Sequence, residues 1–101
     1  MLASAWVYIV TNEHHTTLYV GMTNALPTRV WEHRTKSNPK SFTAKYNLHK
    51  IVYYEAFESI VEAIKREKYI KGKSRKWKEE RINEMNPEWK DLAEEIMRLY
   101  S

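Results

Sequence analysis

The chain opens with two short segments in which β-branched and aromatic residues dominate, 6–11 (WVYIVT) and 17–22 (TLYVGM). Such segments favour β-strands, and the polar residues 12–15 that follow the first segment favour a turn. We therefore predict a β-hairpin with a four-residue loop. This loop length sets a register that pairs Tyr8 with Tyr19. Because side chains alternate across a strand, the same register gathers an apolar, core-facing set on the other face: Val7, Ile9, Leu18, Val20 and Met22.

A first helix is predicted after the hairpin. Asn24 is a favourable N-cap residue and Pro27 is tolerated in a first turn, so the helix is expected to run to about Lys36. Its apolar contacts are predicted to come from Leu26, Val30 and Trp31.

The middle of the chain is polar and then strand-like. Residues 38–47 are predicted to hold one short helical turn. Residues 49–57 (HKIVYYEAF) are bounded by polar residues and predict a third strand.

Helical periodicity dominates after Glu58. Ser59 followed by Glu62 is a capping-box pattern, and Gly72 is a natural C-terminal stop, which predicts a helix over 60–71. Ser74 is a second N-cap, for a helix that extends to about Met85.

Asn86 and Pro87 form a cap and first-turn pair that predicts a final helix over 87–100. An apolar stripe follows at helical spacing, for packing on the domain or on a partner: Trp89, Leu92, Ala93, Ile96 and Tyr100. We therefore expect one α+β domain over 1–101, with a three-stranded antiparallel sheet flanked by four or five helices.

Composition narrows the functional classes. At 101 residues the chain is the size of one domain, and without cysteine it has neither disulfides nor thiolate zinc sites. A metal would need oxygen or imidazole ligands, which favours a hard ion such as Mg²⁺. No segment resembles a membrane span or a secretory signal, so a cytoplasmic protein is expected. The net charge of +4 is a moderate bias toward phosphate-bearing partners.

Two clusters in the first half are candidates for chemistry. Tyr8 and Tyr19 share a strand face with Gly21, whose missing side chain would leave room for a ligand; a plain aromatic cross-strand pair is the alternative. Arg29 and His33 lie one turn apart on the first helix, and a guanidinium beside an imidazole suits a phosphate. The alternative is a solvated basic face.

The second half adds an acidic and a basic candidate. Glu67 falls on an otherwise apolar helical stripe, so it is either a salt-bridge partner or a metal ligand. Residues 65–81 hold nine Lys or Arg against three Glu, interleaved with Tyr69 and Trp77. This run either tracks a nucleic-acid backbone or is a solvated helix face.

Taken together, the sequence resembles the GIY-YIG nuclease family over nearly its whole length, and most closely its small stand-alone bacterial subfamily. The first motif reads Trp6-Val7-Tyr8 and the second Tyr19-Val20-Gly21, so Trp6 replaces a glycine and valine replaces isoleucine in both. The family's later polar positions follow in order: Arg29, His33, Glu67 and Asn86.

The resemblance implies hydrolysis of phosphodiester bonds in DNA with one Mg²⁺ or Mn²⁺ ion held by Glu67. Tyr8 or Tyr19 would orient the attacking water or take its proton, His33 would relay that proton, and Arg29 would stabilise the transition state. Substrate contacts would come from Gly21, Asn86, Lys71, Lys73, Arg75 and Lys76.

The expected target is a DNA structure met in repair or recombination, because backbone contacts position nucleic acid without reading bases. Two alternatives remain. The chain is a non-catalytic nucleic-acid-binding module that keeps the fold, or it is an adaptor whose final helix docks on another protein or on a second copy.

Overall fold

The computed structural model describes residues 2–35 and 41–100, and the predicted helix end at Lys36 lies outside these ranges, as do residues 38–40 of the polar segment. Three antiparallel strands form one sheet in the order β2-β1-β3. Together with the helices given below, this confirms the α+β class. The strands are β1 (Ala5–Thr11), β2 (Leu18–Thr23) and β3 (Lys50–Phe57).

The register of the hairpin differs from the prediction by two residues. Tyr8 lies opposite Gly21, and Tyr19 lies opposite Val10. The loop is six residues long because the Asn12 side chain closes it, with its Oδ1 accepting hydrogen bonds from the amides of Thr16 and Thr17. A shift of two keeps every side chain on its predicted face, so Tyr8, Tyr19 and Gly21 still share one.

Both faces of the sheet are buried, so the prediction of a single core-facing side was wrong. The predicted face carries Val7 and Ile9 against helices on that side. Its opposite carries Trp6, Tyr8 and Val10, which are equally apolar and form a second cluster. Because the sheet has only three strands and is covered on both faces, every β1 side chain is buried.

Helix α1 (Leu26–Thr35) and the short helix α2 (Phe42–Lys45) follow the predicted positions. Leu26 and Val30 are buried, as expected, on the Tyr8 side of the sheet. Helix α1 begins one residue later than an Asn24 cap would place it, and the Thr23 hydroxyl accepts a hydrogen bond from the Ala25 amide. Trp31 is 57% exposed, so its predicted role as a core contact was wrong.

Helices α3 (Ile60–Lys71) and α4 (Arg75–Met85) cover the other face, and their bounds agree with the sequence signals. The Ser59 and Ser74 side chains accept hydrogen bonds from backbone amides in the first turns, and Gly72 ends α3. Ala63, Ile70 and Ile82 bury these helices against the sheet.

The last helix, α5 (Ala93–Tyr100), starts six residues later than predicted. Asn86 is the C-terminal cap of α4, and a turn follows in which Trp89 takes a positive φ. Asp91 accepts a hydrogen bond from the Ala93 amide instead. The predicted stripe is therefore divided: Ala93 and Ile96 pack on the Tyr8 side of the sheet, whereas Trp89 packs on the other.

Candidate active site

Tyr8 occupies the centre of the candidate site. Its side chain is 3% exposed and lies across β2 at Gly21, where an added Cβ would stand 2.5 Å from the Tyr8 hydroxyl oxygen. The glycine is therefore required by the tyrosine ring. The expectation that Gly21 leaves room for a ligand was wrong, because Tyr8 fills that space.

His33 lies beneath the hydroxyl of Tyr8. Its Nε2 is 3.3 Å from Tyr8 Oη, and its Nδ1 is 3.0 Å from Thr43 Oγ1. The arrangement joins three elements, since Tyr8 is on β1, His33 on α1 and Thr43 on α2. A neutral imidazole has one donor and one acceptor nitrogen, and because both partners are hydroxyls, either tautomer satisfies the two contacts.

Burial sets the charge state of both rings. Burial first, and then the nearby Arg29 guanidinium, lower the pKa of His33 to about 4. Burial also raises the pKa of Tyr8 above its usual range, and Arg29 opposes this while the charges of Glu32 and Glu67 add to it. At neutral pH the pair is an uncharged phenol beside an uncharged imidazole.

Arg29 supplies positive charge at this site. Its Nη1 lies 3.3 Å from Glu32 Oε1, an ion pair between neighbours on α1. Its Nε is buried and has no hydrogen-bond partner among the residues that the structure describes. A buried donor without a partner is uncommon, and it is a ready contact for a phosphoryl oxygen.

Glu67 and Lys71 approach the same region from α3. The Glu67 side chain is 22% exposed and its Oε1 is 3.5 Å from Lys71 Nζ, so Glu67 is a salt-bridge partner, while its predicted role as a metal ligand stays a prediction. The Lys71 amine is also 5.8 Å from the centre of the Tyr19 ring. Tyr19 is partly buried and lies on β2, an edge strand of the sheet.

A scan of the chain against family models matches residues 4–83 to the GIY-YIG catalytic domain. The chain belongs to the GIY-YIG family. This confirms the resemblance drawn from the two motifs, and the family's members are nucleases that act on nucleic acid. No curated protein and no solved structure matches the chain significantly.

The GIY-YIG fold brings the five predicted catalytic residues near one another around the Tyr8 side chain. These are Tyr8, Tyr19, Arg29, His33 and Glu67. In the described parts of the chain, no three His, Asp or Glu side chains lie close enough together to hold a metal ion between them. Likewise, no described helix has the length and apolar character to cross a bilayer.

Asn86, predicted as a substrate contact, lies inside the protein. It is 5% exposed, and its Nδ2 donates to the carbonyls of Val52 and Lys90 while its Oδ1 accepts from the Lys90 amide. All of these partners are backbone groups, so the side chain fastens the turn after α4 to β3. The structure gives Asn86 a structural place and does not bring it to Tyr8.

The basic residues predicted to contact substrate divide into two kinds. Arg75 is engaged within the protein: its guanidinium donates to the carbonyls of His15 and Thr16 and pairs with Glu79, which braces the hairpin loop. Lys73 and Lys76 form no ion pair within the described residues, and Lys76 is exposed on α4.

Thr43 is the site residue that sequence reasoning missed. It is buried and its hydroxyl also lies 3.3 Å from Ser41 Oγ. The signal was weak, because Thr43 sits in a polar segment with one short helical turn and ten positions from His33. A buried threonine in such a segment becomes informative only when the fold shows its partner.

Proposed function

We propose that this protein is a metal-dependent endonuclease that hydrolyses phosphodiester bonds in DNA and selects its target by structure, in repair or recombination. The observation that carries the proposal is the contact between Tyr8 and His33, beside an Arg29 nitrogen for which the described residues offer no hydrogen-bond partner. A domain that only bound nucleic acid would gain nothing from a buried Tyr-His pair next to a carboxylate.

Glu67 is the residue that fits a divalent cation. Within the described ranges its partly exposed carboxylate forms one ion pair, at 3.5 Å with Lys71, and a divalent cation could take the place of that ammonium group. Mg²⁺ commonly retains several waters and takes phosphate oxygens, so one protein carboxylate is compatible with it or with Mn²⁺. When bound, the ion would offset charge on the phosphoryl group and on the leaving oxygen.

Arg29 and Lys71 would bind the scissile phosphate from two sides. The Arg29 Nε would donate to a non-bridging oxygen, and the Lys71 ammonium would leave Glu67 to pair with the substrate. Charge that develops on the phosphoryl oxygens is stabilised best by donors fixed before the reaction. The α1 helix provides such a fixed donor in Arg29.

Tyr8 would take the proton of the attacking water. As the new phosphorus–oxygen bond forms, Tyr8 Oη accepts that proton and passes its own to His33 Nε2, while Nδ1–H donates to Thr43. The bond from phosphorus to the leaving oxygen breaks at the same time. Tyr19, whose ring lies 5.8 Å from the Lys71 ammonium, would orient the water or the phosphate.

The decisive experiment is cleavage of a panel of DNA substrates by the purified protein with Mg²⁺ or Mn²⁺: plasmid, flap, fork and four-way junction. We expect metal-dependent cutting that falls at least about 100-fold in Glu67→Ala. Tyr8→Phe should lose about 100- to 10,000-fold, as loss of a general base does, and Tyr19→Phe less. Lys90→Ala, an exposed residue paired with Glu88, is the control and should cut normally.

A different result would favour the non-catalytic alternative. If wild type and Glu67→Ala bind the panel equally in a salt-dependent way and neither cuts, the protein is a binding module. If both cut at the same rate, the activity comes from a contaminant and the proposal fails.

A further inference from the structure

Two aromatic rings and three cations meet on the outer side of the α3–α4 pair. The rings of Tyr69 and Trp77 lie edge to face, with centroids 5.8 Å apart. Arg66 lies 5.4 Å from the first ring, Lys73 lies 4.4 Å from it, and Arg81 lies 5.0 Å from the second. We call these five residues the aromatic platform.

The members of the platform are not equally committed to the fold. Arg66 forms a bidentate pair with Glu55 on β3, and Arg81 pairs with Glu84, so both have carboxylate partners. Lys73 has no carboxylate partner anywhere in the described ranges. Its ammonium instead rests on Tyr69, whose side chain is 50% exposed. A ring and a cation are thus both accessible to a ligand.

The platform and the candidate active site lie on the two flanks of α3. Helical spacing puts Arg66 and Tyr69 on one flank, and Glu67 and Lys71 on the other, with buried Ile70 between them. Lys73 follows the end of the helix, and its ammonium lies against Tyr69. The exposed Lys68 lies on the outer surface that joins the two flanks. A helix with its side chains is about 10 to 12 Å across, so a strand crossing α3 reaches the platform within a few nucleotides.

We propose that the aromatic platform binds an unpaired base of a single-stranded DNA segment next to the cleaved bond, which names the substrate as a junction of duplex and single strand. The inference rests on the proposed function for the cleavage, whereas the binding of the base is argued from the aromatic platform alone. Only an unpaired base offers a free face to an aromatic ring, because a duplex buries its base faces in the stack. On binding, Lys73 would move from the Tyr69 ring to a phosphate.

The test is fluorescence anisotropy with a labelled single-stranded oligonucleotide and a duplex of equal length, using Glu67→Gln protein so that binding is measured without turnover. Tyr69→Leu in this background should weaken single-strand binding about 10-fold and duplex binding by less than about 3-fold. Tyr69→Phe should bind as the parent does. Lys73→Gln should lower the slope of log affinity against log salt by roughly 0.7 on single strands.

Trp31→Leu is the matched control, since Trp31 is an exposed aromatic residue on α1, on the other side of the sheet. Circular dichroism checks that each variant is folded. The inference is overturned if folded Tyr69→Leu binds single strands as Trp31→Leu does, or if it weakens duplex and single strand equally. A Tyr69 effect on binding in a protein that never cuts would support the platform while refuting the nuclease proposal.

Discussion

At the scale of single residues, Tyr8 and Gly21 form an interlocked pair that neither residue would form alone. The tyrosine ring lies where any other residue at position 21 would place its Cβ, and the hydroxyl at the end of that ring meets His33. The sequence motifs identified both residues and their shared face. The pairing itself depended on a loop length that strand periodicity does not encode.

Gly21→Ala should destabilise the protein by about 1 to 3 kcal/mol, because the added methyl overpacks against Tyr8. Urea unfolding measures this free energy. Gly72→Ala is the control: an added Cβ there would stand 3.6 Å from the backbone oxygens of Lys68 and Tyr69, an ordinary contact, and φ is −79°. Its unfolding free energy should change by less than about 1 kcal/mol. Equal losses in the two variants would contradict the interlock.

Protonation of His33 should couple stability to pH. The pKa of this histidine is about 4 in the folded protein and 6.5 for an unperturbed side chain. Between these two pH values, the unfolded chain binds a proton on His33 and the folded protein does not. Stability is therefore expected to fall as pH is lowered from about 6.5 toward 4, by about 1 to 3 kcal/mol from this group.

The measurement compares unfolding free energies of wild type and His33→Gln at several pH values in that window. Carboxylates also titrate there, and they do so equally in both proteins. The difference between the two curves should shrink as pH falls. Parallel curves would show that the imidazole is not held neutral.

At the scale of elements, capping residues predicted the bounds of α3 and α4 well. Each of these helix ends depends on a single residue, as the hydrogen bond accepted by Ser74 at the start of α4 shows. The predicted start of α5 was wrong because Asn86 followed by Pro87 is compatible with the end of one helix as well as with the start of another. What decides between them is the buried carbonyl of Val52, a distant residue on β3.

Asn86→Ala should cost about 2 to 4 kcal/mol, because three hydrogen bonds are lost and buried backbone groups are left unpaired. Thermal or urea unfolding measures the loss. Asn83→Ala, which removes one exposed acceptor for the Trp89 indole, should cost less than about 1 kcal/mol. Below its unfolding temperature, Asn86→Ala should retain whatever cleavage the wild type shows; selective loss of cleavage without loss of stability would place Asn86 in substrate binding after all.

At the scale of the whole molecule, the region that matches the GIY-YIG model ends at residue 83, before α5 begins. Yet α5 completes the core on the Tyr8 side: Ile96 is fully buried, Tyr100 packs edge to face on Trp6, and Tyr54 donates to Glu95. Composition predicted one domain, but not that both sides of so small a sheet need cover.

Ending the chain after Leu92 should therefore destabilise the protein by about 3 to 5 kcal/mol, since burial of Ile96 alone contributes roughly 1.5 to 3. Removal of the helix should also expose Trp6 to water, so its fluorescence emission should shift to longer wavelength. Light scattering of the same samples reports the oligomeric state. A truncated protein that melts within about 2 °C of the full chain would instead favour α5 as a docking element for a partner.

The interlock of Tyr8 with Gly21 also constrains which substitutions can accumulate at these two positions during evolution. A mutation that enlarges position 21 is unfavourable while an aromatic ring stands at position 8, and shrinking position 8 first removes the hydroxyl that meets His33. Neither step is neutral, so lineages of this protein should change the two positions together or keep both. A relative with a small residue at position 8 is where an alanine at position 21 should first be found.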